Sequence, residues 1–474
     1  MKVAWLQSTW TENLGPAWIS AVLKSKGHTS EFFFEQRGWR KDLKKYGPDL
    51  IAFSCTTGIH SWARETARQL KKEGFDRVPV LMGGSHPTFY PEIIYDEGID
   101  IICRGEGEGA VLELVETLAD RGDTAKIENL WVKRDGGVFS NELRPLIADL
   151  DDLPHPDRGY CDKYPLLGQY PYKSIVTGRG CPFSCSFCFN AELRRIYQEK
   201  GKYLRRRSVG KVIEEIAELK ERYALRSVRF VDDVFTLDKD WLREFIPVYR
   251  REIGLPFTCN VKPELMDEEV AGLLKESGCR LALFGIESGS ERIRNEIMNK
   301  NLSDQQIISC ASGLRKYGIE FATFNIIGSP GETLKDARAT VEINQRIRTR
   351  YPWCSLMQFY PGTEIYRIAR AQGVLNEESG GGKGHDEVGM TYFRETQLRQ
   401  DNKAELVNLH RFFVILVRFP FLSPLIRQLI KLRPNFLFDS VFLISYAYIT
   451  LRRSEMGIRK LIRLGLKSLS LFWK

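Results

Sequence analysis

Three cysteines stand within eight residues in the stretch TGRGCPFSCSFCFN, as Cys181, Cys185 and Cys188. Thiols so close together can pair as disulfides, close around zinc, or hold iron and sulfide. The chain opens with MKVAWLQSTW, which reads as a first strand and joins no charged start to a long apolar run. The expected compartment is therefore the cytoplasm, where thiols stay reduced and ten cysteines are not a disulfide framework. Structural zinc closes on four ligands, usually from two Cys-x2-Cys pairs. Here the spacing is x3 then x2, and no second pair follows. Three thiolates on one tight loop suit an iron–sulfur cluster with one iron left open. Gly180 and Pro182 keep that loop from winding into a helix. The other seven, Cys55, Cys103, Cys161, Cys259, Cys279, Cys310 and Cys354, are scattered through apolar stretches and read as core.

The elements around the cluster decide where it sits. From residue 174 strand candidates recur as SIVT, SVRFV, FTCN, LALFGI, FATFNII and SLMQF, with helical stretches between them. One helix opens at NLSDQQI with a capping box from Ser303 to Gln306. Six βα units in about 190 residues imply a partial (β/α)6 barrel, with its chemistry at the C-terminal strand ends. The cysteines follow the first of these strands. The first third alternates in the same way through KVAWLQ, EFFF, DLIAFS, VPVLM and IDIIC. Helices over Ala17–Lys26 and Ser61–Glu73 are stopped by Gly27 and Gly74. This predicts a parallel, Rossmann-like (flavodoxin-like) sheet covered on both faces. A hairpin turns at Asp135-Gly136-Gly137 in LWVKRDGGVFS, and the acidic ADLDDLPHPD reads as a linker. The expected organisation is an α/β protein with domains over 1–145 and 146–372 and a helical region over 373–474.

C-x3-C-x2-C after the first strand of a partial barrel, with an aromatic before the last cysteine, resembles the radical S-adenosylmethionine (radical SAM) enzymes. VDDVFT, FGIESGSERI, IIGSPGET and FYPGTEIY match after the second, fourth, fifth and sixth strands. The resemblance implies a [4Fe-4S] cluster held by Cys181, Cys185 and Cys188. Its open iron takes the amino and carboxylate groups of S-adenosylmethionine. Reductive cleavage of that cofactor yields a 5′-deoxyadenosyl radical, which abstracts hydrogen from substrate. It further implies Phe187 beside the adenine, Glu287 and Ser288 at the ribose or methionine, and the backbone of Gly328 at the adenine. Asp232 and Asp233 occupy the place of a Gly-Gly-Glu motif that this sequence lacks. Beside these roles stands the plain one of turn or helix capping for Asp232, Asp233 and Ser288.

PDLIAFSCTTGIHSW, VLMGGSHPTFYPE and DIICRGEGE resemble the cobalamin-binding domain of cobalamin-dependent radical SAM enzymes. The resemblance places a corrin at the C-terminal strand edge, close to the backbone of Gly83 and Gly84 and beside Thr56, Thr57, Gly58, Ser85 and Gly105. Neither a Gly-x-Gly-x-x-Gly after strand one nor a Walker loop is present. Nor is the Asp-x-His-x-x-Gly motif that supplies cobalt with histidine in other cobalamin proteins. His60 is the one histidine to weigh at the lower face, against a plain core role for it and for His86.

The net charge of +9 is gathered at one end. Residues 411–474 carry twelve Lys or Arg against Asp439 and Glu455, a net +10 that leaves the rest at about −1. RFFVILVRFPFLSPLIRQLIKL and GIRKLIRLGLKSLSLFWK mix cations with large apolar residues, and the longest apolar run, 441–451, is too short to span a bilayer. Three readings compete: peripheral contact with an anionic membrane, with Trp473 at the interface, a substrate cap, or a nucleic-acid role that ranks well below both. Nucleic acid is not expected, because the cations alternate with aliphatic residues. The implied function is methylation of an unactivated carbon on a small or lipid-like substrate, with flavodoxin or ferredoxin as electron donor. A cobalamin-dependent cyclase or oxidase is the alternative within enzymes. A non-catalytic cobalamin or iron–sulfur sensor is the alternative outside them. Asn260, Lys262 and Asn325 are candidate substrate contacts.

Overall fold

A computed structural model describes residues 1–375 and 396–453. The ESGGGKGHDEVG stretch and the GIRKLIRLGLKSLSLFWK tail, with His385 and Trp473, lie outside the described residues. The chain divides into two compact units. Among the described residues, the first holds 1–170 and 195–205, and the second holds 171–194, 206–375 and 396–453.

In the first unit the apolar runs form β1 (Lys2–Gln7), β2 (Thr29–Phe34), β3 (Leu50–Ser54), β4 (Val80–Gly83) and β5 (Ile101–Cys103). All are parallel, in the order β2-β1-β3-β4-β5, and the antiparallel hairpin β6 (Leu130–Arg134) and β7 (Gly137–Ser140) extends the β5 edge. This is the flavodoxin-like order, whose ligand crevice lies beyond the carboxyl ends of the strands where the order reverses, at β1 and β3. Helices α1 (Leu14–Ser25), α2 (Trp39–Tyr46), α3 (His60–Leu70), α4 (Ser85–Phe89) and α5 (Glu108–Ala119) alternate with the strands. Alternation follows from burial: Leu50, Ile51, Ala52 and Phe53 are all buried, so β3 is covered on both faces. Gly74, at φ 100°, turns the chain after α3 as its position in the sequence predicts. The acidic stretch expected as a linker is tied down within this unit. Asp157 accepts from Ser20 Oγ at 2.6 Å and pairs with Lys24 at 2.7 Å, and Arg158 forms a buried pair with Glu12.

The second unit carries six parallel strands in sequential order: β8 (Tyr172–Ile175), β9 (Ser227–Phe230), β10 (Phe257–Asn260), β11 (Cys279–Glu287), β12 (Glu320–Ile327) and β13 (Tyr351–Leu356). Neighbours in sequence are neighbours in space, as a partial barrel requires. The helices between them are α6 (Val209–Arg222), α7 (Lys239–Glu252), α8 (Glu268–Glu276), α9 (Asp304–Lys316) and α10 (Leu334–Arg346). The Ser303–Gln306 capping box starts α9, and a second, Thr333 with Asp336, starts α10. The core is aromatic where α7 meets the sheet, with Phe230, Phe235, Phe245, Tyr249 and Phe257 mutually in contact. The sixth strand is displaced from its expected place: SLMQF is 355–359, whereas β13 starts at Tyr351. Pro352 hid it, yet β13 is the edge strand, where a missing N–H costs no ladder bond. After α11 (Glu364–Ala371), helix α12 (Lys403–Arg418) packs on β13 and α10. Two further helices follow, α13 (Ser423–Leu429) and α14 (Phe436–Arg453), and α14 packs on α12.

Candidate functional site

The loop after β8 carries the three cysteines, with Cys185 buried and Cys181 and Cys188 half-buried. Gly180, at φ 97°, turns the chain into it. The loop is pinned by its backbone. Cys188 N–H donates to Cys185 O at 3.0 Å, and Ser186 N–H donates to Met298 O at 2.9 Å. Ser186 Oγ donates to Ile297 O at 2.6 Å, Asn299 Nδ2 to Ser184 O at 2.8 Å, and Arg194 to Pro182 O. The sulfurs point where charge is expected. Asn190 aims its backbone and side-chain N–H groups at Cys188 Sγ, at 3.5 and 3.8 Å. Burial raises the thiols of Cys181 and Cys185 and pushes Cys188 up to about 11, while Lys300 and Lys262 draw Cys185 back down. Among the described residues no group of three His, Cys, Asp or Glu is placed to hold a single metal ion. Three ionisable sulfurs on one ordered loop fit a cluster that meets each thiolate at a different iron.

The other strand ends supply the rest of this mouth. Glu287 closes β11 at φ 64°, and its Oε1 accepts from Lys300 Nζ at 3.0 Å, both side chains being buried. Gly285 makes the room: a Cβ there would lie 1.8 Å from that oxygen. Arg294, fully buried, donates to Ser288 O at 2.8 Å and to Leu302 O at 2.6 Å, holding the turn in place. Ser288 Oγ accepts from Ser290 N–H at 3.2 Å, the turn-capping role. Asp232 is buried and accepts from Thr177 N at 3.0 Å and Oγ1 at 2.7 Å, which ties β9 to the start of the cysteine loop. Burial raises its carboxyl. Asp233 lies at the exposed lip, yet surrounding protein still raises its carboxyl, with Asn190 pulling it back. After β12, Gly328 takes φ 96°, and a Cβ there would meet nothing closer than 3.8 Å, so the left-handed turn alone demands glycine. Glu332 holds that turn by accepting from Gly328 N at 2.5 Å and Ser329 N at 3.1 Å. Burial lifts its carboxyl to about 7.

In the first unit, three glycines with left-handed φ stand after adjacent strands: Gly58 at 103°, Gly84 at 98° and Gly105 at 70°. A Cβ on Gly84 would lie 2.6 Å from Cys55 O, and one on Gly105 would lie 1.7 Å from the Tyr197 hydroxyl. Gly83 has ordinary φ and only ordinary neighbours at 3.8 Å or more. Thr56 and Ser85 are exposed, and Thr57 is half-buried with its Oγ1 3.0 Å from His86 Nδ1. His60 and His86 are both fully buried and stack at 3.9 Å, and Gly58 N–H donates to His60 Nδ1 at 3.0 Å. Both rings therefore support the loop after β3 from beneath. The edge is lined by backbone and small hydroxyls, which fits a large flat ligand rimmed with amides better than a charged one.

Comparison with known proteins agrees with this fold. Residues 175–343 match the model of the radical SAM superfamily, and residues 9–115 match the B12 binding domain. An uncharacterized methyltransferase of Pyrococcus horikoshii is 34% identical over 340 residues, covering 71% of this chain and 72% of that protein. The chain belongs to the radical SAM superfamily, in its cobalamin-binding branch. The anaerobic magnesium-protoporphyrin IX monomethyl ester cyclase of Rubrivivax gelatinosus is 28% identical over 378 residues, covering 73% of this chain and 66% of that one. The solved radical S-adenosylmethionine methyltransferase TsrM from Kitasatospora setae, with cobalamin and a [4Fe-4S] cluster bound, has the same fold. Its TM-score is 0.65 at 19% identity, over 78% of this chain and 75% of that one.

As a radical SAM protein with a B12 domain, the chain is an enzyme whose cofactors are a [4Fe-4S] cluster, S-adenosylmethionine and cobalamin. The sensor alternative falls with that membership. The radical SAM mouth brings the three cysteines, Phe187, Asp232, Asp233, Glu287, Ser288 and Gly328 onto the loops after strands of one sheet. Asn325 is elsewhere: it is buried and spends its amide on Thr323 and the backbone of Trp353. Asn260 donates to Asp232 O at 2.8 Å, and Lys262 is paired with Glu264 while its Nζ lies 3.7 Å from the Phe183 ring centroid. Sequence reasoning missed Lys300, Arg294, Glu332 and Tyr197. Glu332 lies inside IIGSPGET and was within reach of a motif reading. The others carried no signal, since nothing in the sequence says that a lone loop lysine is buried.

Proposed function

We propose that this enzyme transfers a methyl group to an unactivated carbon of a small or lipid-like substrate. The observation that carries the reading is a thiol loop beside a buried ion pair, Glu287 with Lys300, in a chain that also carries a B12 domain. In this reading Cys181, Cys185 and Cys188 hold the [4Fe-4S] cluster. Phe187, Glu287, Ser288 and the Gly328 backbone bind S-adenosylmethionine, with Asp233 at the rim. Asp232 positions the loop through Thr177. Thr56, Thr57, Gly58, Gly83, Gly84, Ser85 and Gly105 line the cobalamin edge. When bound, the cluster supplies one electron to cleave S-adenosylmethionine, and cobalamin carries the methyl group from a second S-adenosylmethionine.

The chain's own part is to bind and orient. Burial of Cys185 keeps water from its sulfur and raises its thiol, and Lys300 and Lys262 draw that thiol back toward its ionised form. Lys300 Nζ holds Glu287 Oε1 at 3.0 Å, and a carboxylate fixed there can accept from a ribose hydroxyl. A flavodoxin or ferredoxin is the expected electron donor. Anaerobic reconstitution with iron, sulfide and hydroxocobalamin, followed by S-adenosylmethionine and reductant, tests the reading. Both 5′-deoxyadenosine and S-adenosylhomocysteine should form above a Cys185→Ala control. Deoxyadenosine without S-adenosylhomocysteine in the presence of accepted substrate would favour ring closure or oxidation, the second reading, to which the cyclase relative points.

A further inference from the structure

The C-terminal helices of the second unit carry a surface the reaction does not use. Among the described residues, twelve large apolar side chains are exposed, and nine of them lie within 419–448. Helix α14 is apolar on two sides. Phe438, Phe442 and Ile449 are buried inward. Leu437, Ile444 and Tyr448, spaced i, i+7 and i+11, form an outward stripe that is 60%, 70% and 41% exposed. A helix apolar on two sides places both against protein or lipid, and among the described residues this one has only its inner side covered. Phe421 and Phe436, each 75% exposed, stand before α13 and at the start of α14. Isolated apolar residues on a surface are ordinary, but a run this dense marks a contact.

Charge selects the partner. Arg418, Arg427, Lys431, Arg433 and Arg452 are exposed in the same segment. Its one acid, Asp439, is already paired with Arg411 at 2.7 Å. A second copy packed two-fold on this surface would set cations against cations with no free acid to pair them. An anionic lipid headgroup layer meets the cations and admits the apolar side chains, as an interfacial helix requires. Spanning is not at issue: among the described residues no helix is long and apolar enough to cross a membrane.

We infer that the α13–α14 surface docks on the headgroup layer of an anionic phospholipid membrane. The inference is independent of which carbon the enzyme methylates. The test is co-sedimentation of the full-length holoenzyme with vesicles of phosphatidylglycerol and phosphatidylcholine, or of phosphatidylcholine alone, at low and high salt. Binding should be at least tenfold tighter to the anionic vesicles and should weaken with salt, since each cation at such a surface contributes roughly fivefold. Two variants, Leu437→Ser/Ile444→Ser and Arg427→Gln/Lys431→Gln/Arg433→Gln, should each weaken it about tenfold or more and leave S-adenosylmethionine cleavage unchanged. All these side chains are exposed, so folding is not at stake, and the two sets test the apolar and the charged arms separately. No binding to anionic vesicles would overturn the inference. So would binding that survives both variants, or a concentration-dependent dimer that only Leu437→Ser/Ile444→Ser disperses.

Discussion

The two edges proposed to hold the cofactors are built in opposite ways. The B12 edge uses almost no side-chain chemistry: three left-handed glycines, small hydroxyls and two histidines turned inward to each other. The radical SAM mouth is dense with ionisable groups, many of them buried: three thiols, Glu287 with Lys300, Asp232 and Glu332. An edge of this kind would hold a bulky preformed cofactor by shape, and at Gly84 and Gly105 it leaves no room for a side chain. A cluster assembled in place, with a charged cosubstrate, is held by ligands and countercharges, so its mouth tolerates no lost group.

The contrast breaks most readily at the thiols. Cys185→Ala should abolish S-adenosylmethionine cleavage, by roughly a thousandfold or more. Iron and sulfide content and the cluster's visible absorption should fall with it, while cobalamin content stays. Lys300→Met comes next, because it strands the Glu287 carboxylate in a buried site. Removing one partner of such a pair costs about 3–5 kcal/mol, read by denaturant unfolding. The double variant Lys300→Met/Glu287→Gln should recover most of that stability without restoring S-adenosylmethionine affinity.

Glu332 gives a pH-dependent version of the same test. Its carboxyl is raised from the ordinary 4.5 to about 7 by burial. The folded protein therefore holds this proton to higher pH than the unfolded chain. The resulting stabilisation is complete below about pH 4.5 and is lost as pH rises through 7. Across that window the term is about 3 kcal/mol. Glu332→Gln should flatten it in unfolding measurements at matched salt.

At the B12 edge a single added side chain should suffice. Gly105→Val forces volume onto the Tyr197 hydroxyl and should lower retained cobalamin about tenfold, with iron content unchanged. The smallest effect sharpens the comparison: His60→Phe should leave the electron paramagnetic resonance of bound cob(II)alamin unaltered. A changed nitrogen hyperfine pattern would show that His60 reaches cobalt and that this edge does use a ligand.

Much of this division is legible in the sequence, and the reason is physical. Continuous apolar runs separated by helical periods leave little choice but parallel sheets, and the thiol spacing excludes ordinary zinc. What escapes is whatever depends on burial of a polar residue. Lys300 in MNKN and Arg294 in RIRNE look like surface cations. Only the fold reveals that both are enclosed, one beneath Glu287 and the other beneath Ser288. Asn325 fails in the reverse direction: a polar residue in an apolar strand suggested substrate contact, yet it serves a buried amide network with Asn344 and Thr323.

Gly289 links two of the turns at the radical SAM mouth. Its N–H donates to Thr340 Oγ1 at 2.8 Å, and a Cβ there would lie 2.1 Å from the carbonyl of Ala339. Ser290 and Arg292 both bond Asp336 on the same helix. The turn that presents Glu287 and the helix that follows the Gly328 turn are thus a single mechanical piece. Among homologues the two segments should drift together: a lineage that replaces Gly289 must also retreat the backbone at 339 and 340, so insertions or deletions in one turn should be matched by changes in the other.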